Sequence, residues 1–413
     1  MTTVLDEFEV ANGWSTLPFR AVARKVSESG FPELEPLSVF LDAGVVPRSS
    51  REDNHNQLGE SLEKYQRVRP NDLVFNKLRT WQGGFGISNY EGIVSPAYII
   101  ARLDQSLIEP RFLGYLLKSK PYLAELTRLS KWMPPTQFDI SWESIRDLKL
   151  RIPAIDIQQT VADFLDEQIG TASTLIDIRN LQIDSINQAA RSKLSDIFLN
   201  SSGDKISLKR LIKDERLGIW GEDAGVAPLE VVVARVADFN RQNFTLGEVK
   251  TTRSIEVKQF LSRKISPGDI LLERSGGGEK SPVGCAVQVK ESLPNLVCSN
   301  FVSRIRAVDG VDPEYLSLVL AALYSNGLQT PHSSQTTGIQ NLDTESYFQV
   351  QIPNRSIDEQ RKCVSLGSDV IQSTTEIIKL LEKFINVTEE FKNSLITSAV
   401  TGVFDITHKR SVS

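Results

Sequence analysis

From Ile157 to Asn200 the chain runs 44 residues without a proline. Steps of four and three through this stretch land on Leu165, Ile169, Ala172, Ile176, Arg179, Ile183, Ile186, Ala190, Lys193 and Ile197. Eight of these ten positions are apolar, which is the seam of a helix that packs against another long helix. At 1.5 Å per residue such a helix is roughly 66 Å long, far beyond an ordinary globular helix. A second stretch, Ile357 to Thr401, has the same character, with Ile377, Leu381, Phe384, Phe391 and Leu395 as its seam. Two long helices therefore alternate with two globular blocks. Arg179 and Lys193 interrupt the first seam and read as register marks or docking points.

The globular blocks are related. Trp14-Ser-Thr-Leu-Pro-Phe-Arg opens the first, and Ile206-Ser-Leu-Lys-Arg-Leu-Ile opens the second. Val68-Arg-Pro-Asn-Asp-Leu matches Ile265-Ser-Pro-Gly-Asp-Ile, a Pro-x-Asp turn leading into a buried strand. Gln82-Gly-Gly-Phe-Gly answers to Ser275-Gly-Gly-Gly. Glu109-Pro-Arg-Phe-Leu and Asp312-Pro-Glu-Tyr-Leu are both helix starts with proline in the first turn. Each block closes on a strand and an Ile-Pro, at 148–159 and at 348–360. The matches keep their order at offsets of about 191 to 204 residues, which indicates a duplication rather than a solenoid. Short β-runs at Val45-Val46, Leu73–Phe75, Tyr98–Ala101, Val231–Ala234, Ile270–Glu273 and Val302–Ile305, mixed with short helices, predict a mixed α/β (α+β) fold for each block.

Composition bounds the function. A chain of 413 residues, 40% apolar and 24% charged, has room for two or more domains with cores of their own. No run of 18 apolar residues suits a membrane span, and the acidic N-terminus does not read as a signal peptide. Three scattered cysteines, Cys285, Cys298 and Cys363, suit neither a disulfide framework nor a zinc site. The expected setting is cytoplasmic, reduced and metal-free. Net charge is −5, but the blocks are nearly neutral: 19 basic and 19 acidic residues in 1–155, 17 and 18 in 204–353. The excess acid sits in the helical parts, with 11 basic and 15 acidic residues. A local basic face is neither required nor excluded.

Catalytic signatures are thin. Arg274-Ser-Gly-Gly-Gly-Glu-Lys-Ser281 resembles a phosphate loop, but Glu279 stands where glycine is needed and would repel phosphate. Phe85-Gly86 does not complete an S-adenosylmethionine motif, and Pro134-Pro135 lacks its Asn and aromatic neighbours. His55, His332 and His408 lie far apart in settings unlike a triad or metal site. The chain reads as non-catalytic, with no cofactor or metal of its own.

Binding chemistry is better represented. Asn76–Gly86 gathers Lys77, Arg79, Trp81 and Gln82 into what reads as a flexible loop. Lys and Arg suit phosphates and guanine edges, and Gln suits adenine. Trp81 reads equally well as a core anchor. Arg274, Ser275, Gly276, Glu279 and Lys280 occupy the matching place in the second block. A polar cluster from Lys131 to Gln137 matches one from Ser333 to Asn341 that includes Gln335, and both precede the last strand.

With these residues assembled, the chain resembles the specificity subunit of type I restriction-modification enzymes over essentially its whole length. The resemblance rests on NKLRTWQGGFGISNYEGIVSPAYII (76–100), SKWMPPTQFDIS (130–141), the Ile-Pro segments leading into both helices, and SLITSAVTG (394–402). It departs at Ala154-Ile-Asp-Ile-Gln-Gln159, where the family's Pro-Leu-x-Glu-Gln is kept only as Asp358-Glu-Gln360, and at Ser201-Ser-Gly203 against Val-Thr-Gly402. The resemblance implies target-recognition domains at 1–155 and 204–353, long helices at 156–203 and 354–403 paired as an antiparallel coiled coil, and a tail at 404–413. It further implies an asymmetric bipartite double-stranded DNA site, two methyltransferase subunits using S-adenosylmethionine, and restriction/translocase subunits using ATP and magnesium. The competing readings are a stand-alone DNA methyltransferase or nuclease, and a coiled-coil tether with two protein-binding domains.

Overall fold

The computed structural model of the chain describes residues 13–51, 59, 61–131, 138–278, 281–336 and 338–404. It divides into two compact units: residues up to Asp177 together with those from Phe384 onward, and Ile178–Lys383. Each unit is one globular block plus half of each long helix.

The two blocks share a strand order. In the first, Ala23–Val26, Tyr98–Leu103, Leu73–Asn76 and Phe85–Ile87 lie side by side, every neighbour antiparallel. In the second, Ile212–Leu217, Val302–Ala307, Ile270–Glu273 and Ala286–Gln288 repeat that order and direction. Thr245–Leu246 and Phe239–Asn240 extend the second sheet to six strands. The ends of each block are tied by another antiparallel pair, Ser15–Pro18 with Lys149–Ile152 and Lys205–Ser207 with Gln351–Pro353. All six short β-runs read from sequence fall in strands.

The Pro-x-Asp turns are built alike. Asn71 and Gly268 take left-handed φ values of 70° and 93° at the tips, where asparagine and glycine are the residues that tolerate them. The carboxylates of Asp72 and Asp269 accept from the Arg69 and Ser266 N–H groups, both at 2.9 Å. Each buried carboxylate is then gripped by an arginine from the adjacent strand. Arg102 donates to Asp72 at 3.1 Å through two nitrogens, and Arg306 donates to Asp269 at 2.7 and 3.0 Å. A buried carboxylate needs such compensation, and the planar guanidinium fork supplies it.

The long helices span Ile155–Phe198 and Ile357–Val400, 44 residues each. In the first unit, Val161, Ala162 and Leu165 share a core with Phe19, Phe75, Phe112, Leu116, Ala399 and Val400, and Phe164 stacks 6.1 Å from Phe404. In the second, Leu194 and Phe198 share a core with Leu272, Tyr315, Leu316, Val319 and Cys363. A side chain on Gly367 would meet the Phe198 ring at 2.5 Å, so glycine there lets the aromatic ring in. In each unit the start of one helix meets the end of the other, which is the antiparallel pairing expected.

A pair of buried glutamines joins helix to block. The Gln158 carboxamide accepts from the Glu109 N–H at 2.9 Å and donates to the Pro153 carbonyl at 2.9 Å. Gln360 does the same with the Asp312 N–H at 3.0 Å and the Arg355 carbonyl at 2.9 Å. Both bridge the first turn of a long helix to the Glu/Asp-Pro helix start. Gln158, not Gln159, is therefore the counterpart of Gln360, and Ile157 stands where the second copy has Glu359.

The seam needs correction. In the first helix Leu165, Ala172 and Ile176 are buried and Ile169, Ile183, Ile186 and Ile197 half-buried, as expected; beyond them Leu194 and Phe198 turn inward while Lys193 is exposed. In the second helix Leu381 and Leu395 are half-buried, but Ile377, Phe384 and Phe391 are 45, 39 and 53% exposed. The inward line runs instead through Cys363, Gly367, Thr374, Ile378, Leu381, Ile385, Thr388, Lys392, Leu395 and Ala399. From Gly367 to Ala399 this line keeps the same seven-residue repeat as the expected seam; the two share Leu381 and Leu395 and differ by one position, with Ile378, Ile385 and Lys392 inward where Ile377, Phe384 and Phe391 are expected.

Candidate nucleic-acid interface

In the first block the loop after Leu73–Asn76 is tightly closed rather than flexible. The Asn76 carbonyl accepts from the Arg79 N–H at 3.1 Å and the Thr80 hydroxyl at 2.7 Å, and the Asn76 side-chain oxygen accepts from the Leu78 N–H at 3.0 Å. Gly83 takes φ 85°. A Cβ on Gly84 would sit 2.7 Å from the Arg79 carbonyl oxygen, so both glycines serve the closure. The result projects Arg79 and Gln82 into solvent. Lys77 is half-buried and donates to the Pro96 carbonyl at 3.1 Å. Trp81 packs on the main core and is an anchor. The Lys77 carbonyl accepts from Ile140 N–H at 3.3 Å, and Lys131 N–H donates to Asp139 at 3.0 Å. This places exposed Lys131 on the segment that borders the loop; Gln137 lies outside the described residues.

The second block makes the same juxtaposition with different bonds. Arg274 carbonyl accepts from Leu342 N–H at 2.8 Å, and Gly276 N–H donates to Gln340 at 3.0 Å. The Gln340 side chain accepts from Val283 N–H at 3.0 Å. These bonds lay the glycine-rich loop along the hairpin Ser333–Thr336/Ile339–Leu342, in which Gln335 faces Gln340. Ser275 donates to the Asn341 side chain at 2.6 Å, and Arg274 pairs with Glu215 at 3.2 Å. Those three are thus committed to holding the loop, whereas Gln335 is exposed. Lys280 and Glu279 lie outside the described residues. A short helix, Trp142–Ile145 in one block and Thr344–Tyr347 in the other, separates each polar cluster from the last strand.

Titratable groups are tuned by packing. The Arg102 guanidinium holds the Glu28 carboxyl below its usual range. Burial pushes the thiols of Cys285 and Cys298 up to about 12, leaving little thiolate at neutral pH. Burial also raises the Glu273 carboxyl, against the opposing pull of Arg241 at 2.8 Å. His332 faces the Ser346 hydroxyl at 2.5 Å. Among the described residues no group of three or more His, Cys, Asp or Glu could hold a metal ion, and no helix is long and apolar enough to cross a membrane.

No protein-family model matches the sequence, and no curated relative does. The fold, however, has solved counterparts. A chain from a structure concerned with complex assembly and conformational transition of the type I R-M system superposes with a TM-score of 0.70 at 15% identity, covering 95% of this chain and 99% of that one. The HsdS subunit from Thermoanaerobacter tengcongensis superposes with a TM-score of 0.52 at 13% identity, covering 97% and 100%. The chain thus has the fold of type I restriction-modification specificity subunits along nearly its whole length.

Sequence reasoning missed three features. The glutamine bridges and the Asp–Arg pairs depend on partners tens of residues away. The third is an aromatic cleft beside Arg274, described below.

Proposed function

We propose that the chain is the DNA-specificity subunit of a type I restriction-modification complex and reads an asymmetric bipartite site. The observation that carries this reading is the duplicated block, with the same strand order twice and each copy bringing a glycine-bearing loop against a polar segment. Each block addresses one half-site in the major groove, and the helical pair sets the spacing between them. Arg79, Gln82, Lys131 and Gln335 are the exposed candidates for base and phosphate contact. Because the blocks differ in sequence, the half-sites differ.

Chemistry comes from partners: two methyltransferase subunits using S-adenosylmethionine, and restriction/translocase subunits using ATP and magnesium. The exposed stripe on the second helix supports a docking role. Phe384, Val387 and Phe391 in the first unit, and Ile377 and Leu380 in the second, leave large apolar side chains in solvent, which in such number mark an interaction surface. With nearly neutral blocks, the chain alone binds DNA weakly and in a salt-sensitive way, and binds tightly once partners add phosphate contacts.

The test is methylome sequencing of cells carrying this chain with its methyltransferase. The expected result is one motif of two short elements flanking an unspecified spacer. A contiguous motif, or none while the complex assembles, would sink the reading; methylation by the purified chain alone would favour an enzyme instead.

A further inference from the structure

Beside the glycine-rich loop of the second block lies an open cleft of about 460 Å³, lined by Trp220, Arg235, Val236, Ser299, Asn300 and Phe301. Its lips are large exposed aromatics, Trp220 at 38% and Phe301 at 46%. Both are held in place. Ile219 N–H donates to Cys298 carbonyl at 2.7 Å, and a Cβ on Gly218 would lie 2.1 Å from that oxygen, so only glycine allows the approach that seats Trp220. The Arg253 guanidinium covers the Trp220 ring at 4.5 Å. Phe301 and Asn300 occupy the tip of a turn closed by Val302 N–H to Ser299 carbonyl at 3.0 Å. The Phe301 carbonyl accepts from both Arg274 and Ser275 N–H, at 2.8 and 3.2 Å, which fixes the cleft to the loop. At its inner wall the Ser299 hydroxyl is buried with no partner among the described residues.

The first block builds the same turn, with Tyr98 N–H donating to Ser95 carbonyl at 3.0 Å. There the two tip residues are Pro96 and Ala97. The backbone is repeated but the chemistry is not.

Resting on the specificity-subunit reading, we infer that this cleft reads thymine in the second half-site, taking its 5-methyl group between Trp220 and Phe301. Thymine is the one base that offers the major groove a methyl group beside an acceptor oxygen. An apolar aromatic-lipped cleft suits the methyl. The exposed Asn300 carboxamide suits the adenine edge of an A·T pair. The first block, with proline and alanine at its tip, has neither contact.

The test uses the complex with its methyltransferase and duplexes carrying its recognised sequence. Deoxyuridine, which removes only the methyl, replaces each second-half-site thymine in turn. One position should weaken binding by about three- to sixfold, and in the Phe301→Ala complex that penalty should vanish while discrimination of the first half-site is unchanged. Indifference of the unaltered complex to every substitution, a second half-site without A·T pairs, or a penalty that survives in Phe301→Ala would overturn the inference. So would loss of methyltransferase assembly in Phe301→Ala with thymine and deoxyuridine bound alike, which would put a protein side chain in the cleft. A complex that selects no sequence at all would instead defeat the specificity reading itself.

Discussion

At the scale of single residues, the recurring theme is buried polar groups satisfied in duplicate. Asp269 lies under the Arg306 fork, and removing the carboxylate leaves the Ser266 N–H without its acceptor and Arg306 with the Lys264 carbonyl at 3.3 Å in place of a charged partner. Because Arg306 keeps some access to water, Asp269→Ala should cost only about 2 kcal/mol, measured by chemical denaturation; a change near zero would show that the pair is not structural. Cys285 and Cys298 make a second case. With both thiols raised to about 12 by burial, thiolate stays scarce well above neutral pH. At pH 8 a thiol reagent should label them only as the protein unfolds, and rapid labelling of the native chain would contradict their placement. The aspartates were legible, since Pro-x-Asp occurs twice before an apolar run. Their arginines were not, because strand neighbours 30 and 37 residues away are set by sheet order. Trp81 carried two readings in sequence, and packing decided for the anchor.

Among elements, the long helices were readable to within a few residues from length, apolar stepping and absent proline. Their faces were less so. The second helix carries two lines one position apart, and a seven-residue step fits either: Ile377, Phe384 and Phe391, which are exposed, or Ile378, Ile385 and Lys392, which turn inward. Burial distinguishes the two, since Ile378 is 1% exposed and Ile377 is 45% exposed. Ile378→Ala should therefore destabilise the chain by about 2–4 kcal/mol. Phe391→Gln should change stability by less than about 0.5 kcal/mol yet weaken assembly with the methyltransferase, seen by co-elution. Equal destabilisation by both would return Phe391 to the seam. The Gln360 bridge belongs to this scale as well, since it fastens helix to block: Gln360→Ala strands the Asp312 N–H and should cost about 1–3 kcal/mol.

For the molecule as a whole, the duplication was visible in punctuation, Pro-x-Asp, Glu/Asp-Pro and Ile-Pro, even though few residues are identical. What the sequence could not convey is that both blocks order their central strands alike, and that the second adds two more. Nor could it show that the Ser95 and Ser299 turns share a backbone while differing in what they present. Under the proposed function, this arrangement suits a reader that treats two DNA segments by one geometry and different side chains. The central claim is that the helical pair sets the distance between the segments. Inserting seven residues into each long helix lengthens the pair by roughly 10 Å, equivalent to about 3 base pairs. The methylation motif of the lengthened chain should keep both half-site sequences and widen the spacer by about that amount. An unchanged spacer between unchanged half-sites would contradict the account.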